Sequence, residues 1–287
     1  MTMDQSILSI QSCVSYGHVG NSAVTFPLQR LGVEVWPIHT VLFSNHTGYG
    51  QWGGRVFDIA AVRDVFLGIK ERGVLNKCSA MLSGYMGSKE LGNVMIEAIL
   101  ELRKLNPNII YCCDPVMGDV GRGFFVKEGI PEFFKEEMIK YATIITPNHF
   151  ELEYLSDQKV NSIEDAIEAS NKILSKGPQV VLITSLLLKD NLTSNISMMA
   201  VHKNSVYIVT TPYIPITLNG TGDITAALFT HFYLKYKTIE KALEETISRV
   251  FSIIEETHKE NSKELVLIKS QNYLIQPKHF FKAEKVK

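Results

Sequence analysis

The sequence predicts an α/β protein with a doubly wound, mostly parallel central sheet and helices on both of its faces. Short apolar runs that fit buried strands alternate with longer segments that fit helices. Polar residues directly follow several of these apolar runs. The segments 197–202 and 205–211 flank Lys203-Asn204, which predicts an antiparallel hairpin at one edge of the sheet.

The bounds of the predicted strands and helices come from the apolar periodicity and from the positions of glycine and proline. Gly32 ends the first helix, and Pro37 interrupts the extended segment after it. Segment 118–129 holds four glycines without a regular period and predicts a mobile flap, and 278–287 predicts a loose basic tail. The other predicted strands are 7–11, 33–43, 78–84, 109–113, 144–145, 180–184 and 265–268, and the predicted helices are 22–31, 58–73, 89–105, 163–176, 224–235 and 239–257.

Length and composition favour one domain over residues 1–287, since 45% hydrophobic and 21% charged residues are ordinary for a globular chain. The 29 basic and 30 acidic residues are intermixed, which argues against nucleic acid as a partner. The four cysteines form no CxxC pair and are typical of reduced core residues in a cytoplasmic protein. No apolar run approaches the length of a membrane span, so we expect no membrane partner.

The stretch 218–223 carries the clearest chemical signal. Gly220 and Gly222 flank the small residue Thr221 immediately before an apolar helix, so backbone N–H groups can converge there as an anion pocket. Asp223 follows the second glycine directly. It is either a helix N-terminal cap or a base placed beside the bound anion, and this stretch alone leaves both interpretations open.

Further polar residues come at the ends of predicted strands. Asp114 lies just past the strand 109–113, where open α/β sheets bind ligands, although an Asp before Pro115 also suits a simple turn. Asn148 and Glu151 share a helical face and fit a capping box, which is compatible with a metal role. Asp114 and Glu151 could hold Mg²⁺, while Asp223 takes a proton from an attacking hydroxyl. Together these residues supply what phosphoryl transfer requires.

Other nucleotide-binding motifs are absent or carry little weight. The sequence has no GxxxxGK[ST] motif and no protein-kinase pattern. Residues 48–53 formally match the dinucleotide motif GxGxxG, but the next helix is expected only from about Asp58. A dehydrogenase is therefore a weak alternative.

The ordered motifs resemble the ribokinase-like superfamily and, within it, the pyridoxal kinases, in register from about residue 7 to about residue 260. The superfamily resemblance rests on Gly220-Thr221-Gly222-Asp223, Asp114-Pro115-Val116-Met117-Gly118-Asp119, Thr146-Pro147-Asn148 with Glu151, and Ile183-Thr184-Ser185. The narrower resemblance rests on Ile10-Gln11-Ser12, Gly20-Asn21, Phe26-Pro27-Leu28-Gln29, the run 43–49 and Ser83-Gly84-Tyr85.

The resemblance implies ATP-dependent phosphorylation of the 5′-hydroxyl of pyridoxal in vitamin B6 salvage, with pyridoxine and pyridoxamine as further candidate substrates. It implies Asp223 as the base, Gly220, Thr221 and Gly222 around the transferred phosphoryl group, a flap at 118–126, Mg²⁺ or another divalent cation on Asp114 and Glu151, K⁺, and a homodimer. The implied vitamin-binding residues are Ser12, Val19, Val41, His46, Thr47 and Tyr85. The implied nucleotide-binding residues are Asp114, Asp119, Phe125, Asn148, Glu151, Thr184, Ser185, Asn219, Gly220 and Gly222.

The chain departs from the family pattern at three positions. Phe124 stands where some bacterial relatives carry an aldehyde-capturing cysteine, Phe125 where several carry a tyrosine, and Asn219 where an apolar residue is frequent. A hydroxymethylpyrimidine kinase, a sugar kinase of the same fold and a vitamin-sequestering protein without turnover remain alternatives.

Overall fold

The computed structural model describes residues 5–188 and 194–287. The strands are β1 (Ser6–Val14), β2 (Glu34–Phe43), β3 (Gly54–Val56), β4 (Ala80–Ser83), β5 (Ile110–Cys113), β6 (Gly118–Asp119), β7 (Gly123–Phe124), β8 (Ile144–Ile145), β9 (Val180–Leu186), β10 (Asn195–His202), β11 (Ser205–Pro212) and β12 (Glu284–Lys285). The helices are α1 (Asn21–Arg30), α2 (Ile59–Glu71), α3 (Lys89–Leu105), α4 (Ile130–Glu136), α5 (His149–Ser156), α6 (Ile163–Leu174), α7 (Thr221–Tyr236), α8 (Ile239–Lys259) and α9 (Gln271–Ile275).

The main sheet has ten strands in the order β12-β11-β10-β9-β8-β5-β4-β1-β2-β3. The run from β2 to β9 is parallel throughout. Antiparallel strands flank it, with β3 beside β2 on one side and β10, β11 and β12 on the other. The predicted fold class is confirmed, and so is the antiparallel hairpin, although β12 rather than the hairpin forms the outermost strand.

Helices cover both faces of the sheet because both faces are apolar. Along β1, Ile7 packs into one core and Leu8 into the other, as the twofold period of a strand requires. Helices α2 to α6 contribute buried side chains to the core that holds Leu8, and α1, α7, α8 and α9 to the core that holds Ile7. No helix in the described ranges is long and apolar enough to cross a membrane.

The C-terminal region differs from the prediction. Segment 265–268 is not a strand: residues 265–266 are irregular, residues 267–270 form a turn, and Val266 N–H donates to the Thr257 hydroxyl of α8 (3.2 Å), while none of the described strands pairs with the segment. The tail is not loose, since β12 pairs with β11 and Ala283 N–H donates to Glu244 Oε1 (3.2 Å). Short helices α4 and α9 were also not predicted, because neither is long enough to show a helical period.

The parallel strands determine where the site lies. Asp114 follows β5 directly, Asn148 follows β8 after a short turn, and Thr184 lies near the end of β9. Since the carboxyl ends of parallel strands meet at one edge of a sheet, these residues converge there. The loop before α7 opens at the same edge, because Asn219 and Gly220 line one cavity with Asp114, Asn148 and Thr184.

Candidate active site

A cavity of about 580 Å³ opens at the carboxyl edge of the sheet. Every residue that the sequence predicted for the site lines this one cavity. They are Ser12, Val19, Val41, His46, Thr47, Tyr85, Asp114, Asp119, Phe125, Asn148, Glu151, Thr184, Ser185, Asn219, Gly220, Thr221, Gly222 and Asp223. The structure therefore brings together residues that lie more than two hundred positions apart in the chain.

The first turn of α7 forms one wall of the cavity. Gly220 is the helix N-cap residue, with φ of 85°, and Asp223 lies in the first turn. A β-carbon on Gly220 would lie 1.9 Å from the carbonyl oxygen of His18, so only glycine fits. The capping interpretation of Asp223 is wrong, because the N-cap position belongs to Gly220 and no side chain caps it. The half-buried Asp223 carboxylate lines the cavity instead.

Asp114 lies beside this helix start and is almost fully buried. The Thr146 hydroxyl donates a hydrogen bond to Asp114 Oδ1 (2.9 Å), and a β-carbon on Gly222 would lie 3.9 Å from Asp114 Oδ2. Burial and the neighbouring Asp223 carboxylate raise the pKa of Asp114 to about 8, against the opposing effect of the Thr146 hydroxyl. Burial also raises the pKa of Asp223, while the Gly20 backbone N–H lowers it.

Glu151 is a second buried carboxylate and belongs to the predicted capping box at the start of α5. Asn148 Oδ1 accepts from the Glu151 N–H (2.9 Å), and Glu151 Oε2 accepts from the Asn148 N–H (2.9 Å). Its other oxygen accepts from Met117 N–H (3.0 Å). Burial first, and then the charge of Asp114, raise the pKa of Glu151. Asn148 Nδ2 also donates to the carbonyl of Gly118 (2.8 Å), which ties the flap to α5.

Another group of lining residues contains no carboxylate. Val19, Val41 and Tyr85 give it apolar surface, and His46 and Thr47 come from a loop spanning residues 44–53. His46 Nδ1 accepts from the Gly48 N–H (3.1 Å), which orients the imidazole. Burial lowers the pKa of His46, and nearby Arg122 lowers it further, so the ring is neutral near pH 7.

The dinucleotide interpretation of residues 48–53 is wrong. Residues Thr47–Tyr49 form a 3₁₀ turn, and Gly54–Val56 form β3, which pairs with β2. Helix α2 begins only at Ile59, with Asp58 as its N-cap residue. The Rossmann motif requires a helix that opens at its glycines, and this segment has none.

The flap contains a short hairpin of β6 and β7. Phe124 turns away from the cavity and packs edge-to-face on Phe150 and Tyr154, with ring centroids 5.1 and 5.0 Å away. Phe125 lines the cavity, and the Arg122 guanidinium lies 5.9 Å from the centre of its ring. Of the two aromatic departures in the flap, only Phe125 is therefore in a position to meet a ligand.

Comparisons with known proteins agree with this geometry. Residues 56–267 match the family described as phosphomethylpyrimidine kinase. The chain is 48% identical to the pyridoxal kinase PdxY of Rubrobacter xylanophilus, over 98% of this chain and 97% of that protein. The chain belongs to the pyridoxal kinases of the ribokinase-like superfamily.

Other members of the family support the same assignment. Identity to the pyridoxal kinase PdxY of Corynebacterium diphtheriae is 45%, over 98% of this chain and 99% of that one. The pyridoxal kinase of Leishmania donovani, solved with ADP and ginkgotoxin, superposes with a TM-score of 0.93 at 29% identity, over 99% of this chain and all of that chain. Its complex with ADP and pyridoxamine gives a TM-score of 0.92 at 28% identity, with the same coverage.

Sequence reasoning missed part of this pyridoxal kinase cavity. Arg122 lies in a glycine-rich segment that carries no motif, and the apolar wall comes from β10, the segment after β11, and α8. Isolated apolar residues on a strand or helix look like core residues, so no local signal marks them. The missed wall includes Ile196, Met198, Ile214, Ile216, Ile247, Val250, Phe251 and Ile254.

The raised pKa of Asp114 makes the free energy of unfolding of the metal-free protein depend on pH. Its ordinary value is 3.8 and its folded value about 8, so between these pH values the folded state keeps a proton that the unfolded state releases. This contribution to stability is present at low pH and is lost as pH rises toward 8. With EDTA present, we expect Asp114→Asn to exceed the wild type in unfolding free energy by on the order of 2 kcal/mol at pH 8, with the difference shrinking toward pH 4.

Urea unfolding of both proteins across this pH range measures the effect. Asp64→Asn, on the exposed face of α2, is the matched control and should give a difference that does not change with pH in this way. A stability difference between Asp114→Asn and wild type that is the same at pH 4 and pH 8 would contradict this account of the carboxylate.

Proposed function

We propose that this chain transfers the γ-phosphoryl group of ATP to the 5′-hydroxyl of pyridoxal, with Asp223 as the general base. The observation that carries the proposal is the position of the α7 helix start in the cavity. The same cavity is lined by uncharged side chains, among them Val41, Tyr85 and Thr47, and by the buried carboxylates Asp114 and Glu151. A nucleotide and a pyridine compound, the two classes of ligand in the Leishmania donovani complexes, would both bind in this cavity and meet at the α7 helix start.

The vitamin side takes a flat heteroaromatic ring. Val19, Val41 and Tyr85 would contact the faces of the ring, while Ser12, His46 and Thr47 offer hydrogen-bonding groups at its edge. Because His46 Nδ1 accepts from Gly48, the neutral imidazole carries its proton on Nε2 and can donate to the substrate without placing a charge beside its ring. This set accepts pyridoxine and pyridoxamine as well as pyridoxal, because those compounds differ in one ring substituent.

The nucleotide side combines hydroxyl groups with an apolar wall. Thr184 and Ser185 come from the end of β9 and would donate to phosphate oxygens, and Asn148 and Asp119 lie nearby on α5 and the flap. The α8 side chains and the segment after β11 offer a surface for adenine, with Phe125 and Asn219 at its margin. A purine fits such a surface by apolar contact and stacking.

Asp223 and the anion pocket of Gly220, Thr221 and Gly222 would carry out the transfer together. The carboxylate would accept the proton of the attacking hydroxyl, and its raised pKa makes it a better base than an exposed aspartate. The backbone N–H groups at the α7 helix start would stabilise the negative charge on the transferred group. Closure of the flap over the cavity would keep water from taking the phosphoryl group.

Asp114 and Glu151 are the residues that would hold a divalent cation such as Mg²⁺. Both are buried carboxylates with raised pKa values, so their charged forms are unfavourable without a partner. A bound cation would stabilise the charged forms. Such a cation would neutralise part of the negative charge of the phosphate groups. Within the described ranges no three His, Cys, Asp or Glu side chains converge on one metal position, so phosphate oxygens and water would complete the ligand set.

Three further properties belong to this proposal. K⁺ would assist at the nucleotide side, the protein would act in the cytoplasm, and two copies would form a homodimer. The free, mostly buried cysteines support a reducing compartment. Exposed Leu42, Trp52 and Val56 on and near the β2–β3 edge support a subunit contact.

A hydroxymethylpyrimidine kinase is the second candidate, because the family that matches residues 56–267 is described as phosphomethylpyrimidine kinase. A pyrimidine carrying a hydroxymethyl group would present the same kind of hydroxyl to Asp223. Competition between this compound and pyridoxal distinguishes the two functions.

Replacing the base tests the chemistry directly. Asp223→Asn keeps the size of the side chain and removes its ability to accept a proton. We expect turnover with ATP and pyridoxal to fall by about 10²- to 10⁴-fold, the range for loss of a general base, while both ligands still bind. Turnover close to wild type would show that another group accepts the proton.

Removing the metal carboxylates should change the cation requirement. Asp114→Ala and Glu151→Ala should each raise the Mg²⁺ concentration for half-maximal turnover by on the order of tenfold or more, because each loses one oxygen ligand. Asp165→Ala, which removes the carboxylate of the α6 capping box, is the control for disturbing a helix start. An unchanged Mg²⁺ titration in both variants would remove these residues from the metal site.

A further inference from the structure

Glu264 does not line the cavity, but it connects two segments that do. Its Oε1 accepts a hydrogen bond from the Tyr49 hydroxyl (2.8 Å), and its Oε2 accepts one from the His18 backbone N–H (3.0 Å). Tyr49 belongs to the 44–53 loop, and His18 belongs to the β1–α1 loop. Both contacts span more than two hundred residues of sequence.

Glu264 is held in place by contacts with Ser262 and Gly17. The side chain is nearly buried, and the Ser262 hydroxyl both donates to the Glu264 carbonyl (2.6 Å) and accepts from its N–H (3.1 Å). A β-carbon on Gly17, which has φ of 93°, would lie 2.3 Å from Glu264 Oε2. The carboxylate therefore occupies space that only glycine at position 17 leaves open.

The same segment also supports the anion pocket. His18, held through its N–H by Glu264, places its carbonyl oxygen where a β-carbon of Gly220 would lie. Leu265 is fully buried, and its Cδ1 would lie 3.4 Å from that β-carbon. Residues 264 and 265 thus contact the N-cap residue of α7 from one side and the 44–53 loop from the other.

Tyr49 is 42% exposed, and its hydrogen bond to Glu264 ties it to a distant segment of the chain. Hydrogen bonding to Glu264 is the main cause that raises the pKa of Tyr49 to about 12, so the phenol remains a donor at any physiological pH. A hydrogen bond to a carboxylate contributes more than one between neutral groups. Tyr49 is also fixed by edge-to-face packing on Tyr16, with ring centroids 6.3 Å apart. His46 and Thr47 lie three and two residues before Tyr49, so holding Tyr49 restricts both.

We propose that Glu264 is a positioning residue that fixes the 44–53 loop and the β1–α1 loop relative to the anion pocket, and so sets the distance between the vitamin hydroxyl and the transferred phosphoryl group. It acts through Tyr49 on His46 and Thr47, and through His18 on Gly220. Neither Glu264 nor Tyr49 lines the cavity, so neither touches a substrate. This inference rests on the proposed function for the identity of the vitamin.

The two contacts of Glu264 predict different kinetic effects. Tyr49→Phe removes only the phenol oxygen and frees the 44–53 loop, so it should raise KM and Kd for pyridoxal by roughly fivefold with little change in kcat. Glu264→Gln removes the negative charge that both donors share and leaves one acceptor oxygen, so both contacts weaken and kcat should also fall, with kcat/KM down roughly 10- to 100-fold. The double variant should raise the Kd for pyridoxal no more than Glu264→Gln alone, because both changes remove the same contact.

The measurements are equilibrium binding of pyridoxal, equilibrium binding of a non-hydrolysable ATP analogue, and turnover. Affinity for the ATP analogue should stay within about twofold of wild type in Tyr49→Phe, which leaves the His18 contact in place, and should fall less than pyridoxal affinity in Glu264→Gln; a general loss of structure would reduce both affinities alike. Glu260→Gln is the matched control, because it makes the same change four residues earlier, in a carboxylate paired with Lys269 (2.6 Å). It should behave as wild type.

Unchanged binding and turnover of pyridoxal in both Tyr49→Phe and Glu264→Gln overturns the inference, as does an equal loss of pyridoxal and ATP-analogue binding. Binding of pyridoxal is measured without ATP, so this measurement tests the role of Glu264 independently of phosphoryl transfer. A wild-type protein that binds pyridoxal but does not phosphorylate it refutes the proposed function, and the binding constants of the variants still decide the role of Glu264. A wild-type protein that binds no pyridoxal refutes both.

Discussion

The site depends on a concentration of buried negative charge at one edge of the sheet. Asp114 and Glu151 lie inside the protein, and Asp223 faces the cavity beside them. Burial raises all three pKa values, and a neighbouring carboxylate raises those of Asp114 and Glu151 further, while hydrogen bonds from backbone N–H groups and the Thr146 hydroxyl oppose the rise. A fold selected only for stability would avoid this arrangement, because each charged carboxylate loses hydration. A cation and the amides of the anion pocket would offset that cost when a polyphosphate binds.

A second constraint is the close approach of two loops. The His18 carbonyl lies against Gly220, and a β-carbon on Gly20 would lie 2.3 Å from the carbonyl oxygen of Ser12. The β1–α1 loop therefore packs backbone to backbone against β1 and the α7 helix start. This contact holds the β1–α1 loop, which carries the proposed vitamin-binding residue Val19, against the proposed anion pocket. Glycine at positions 20 and 220 is required by this close approach of the backbones.

The sequence predicted the part of the site that follows from local patterns. Asp114 and Thr184 were placed correctly because strand ends in a parallel sheet meet at one edge, whatever the rest of the fold does. The start of α7 was recognisable from two glycines and a carboxylate. Its N-cap was not, since only the structure shows Gly220 in that position and Asp223 free of it.

The remainder required tertiary information. The segment 265–268 has the apolar composition of a strand, but a strand also needs a neighbour, and its backbone bonds to α8 instead. Glu264 and Arg122 carry no motif, because their roles come from partners more than seventy residues away in the chain or on another loop. The apolar wall from α8 is indistinguishable in sequence from ordinary core. Such residues are defined by the space that the fold leaves beside them.

The most direct test is ADP release by the purified wild-type protein. ATP, Mg²⁺ and K⁺ are supplied with pyridoxal, pyridoxine, pyridoxamine, hydroxymethylpyrimidine or no acceptor, and phosphorylated product is identified by mass spectrometry. The account predicts acceptor-dependent ADP release matched mole for mole by pyridoxal 5′-phosphate, with pyridoxal preferred over hydroxymethylpyrimidine. ADP release that does not depend on a B6 vitamer, or faster release with hydroxymethylpyrimidine, would contradict it.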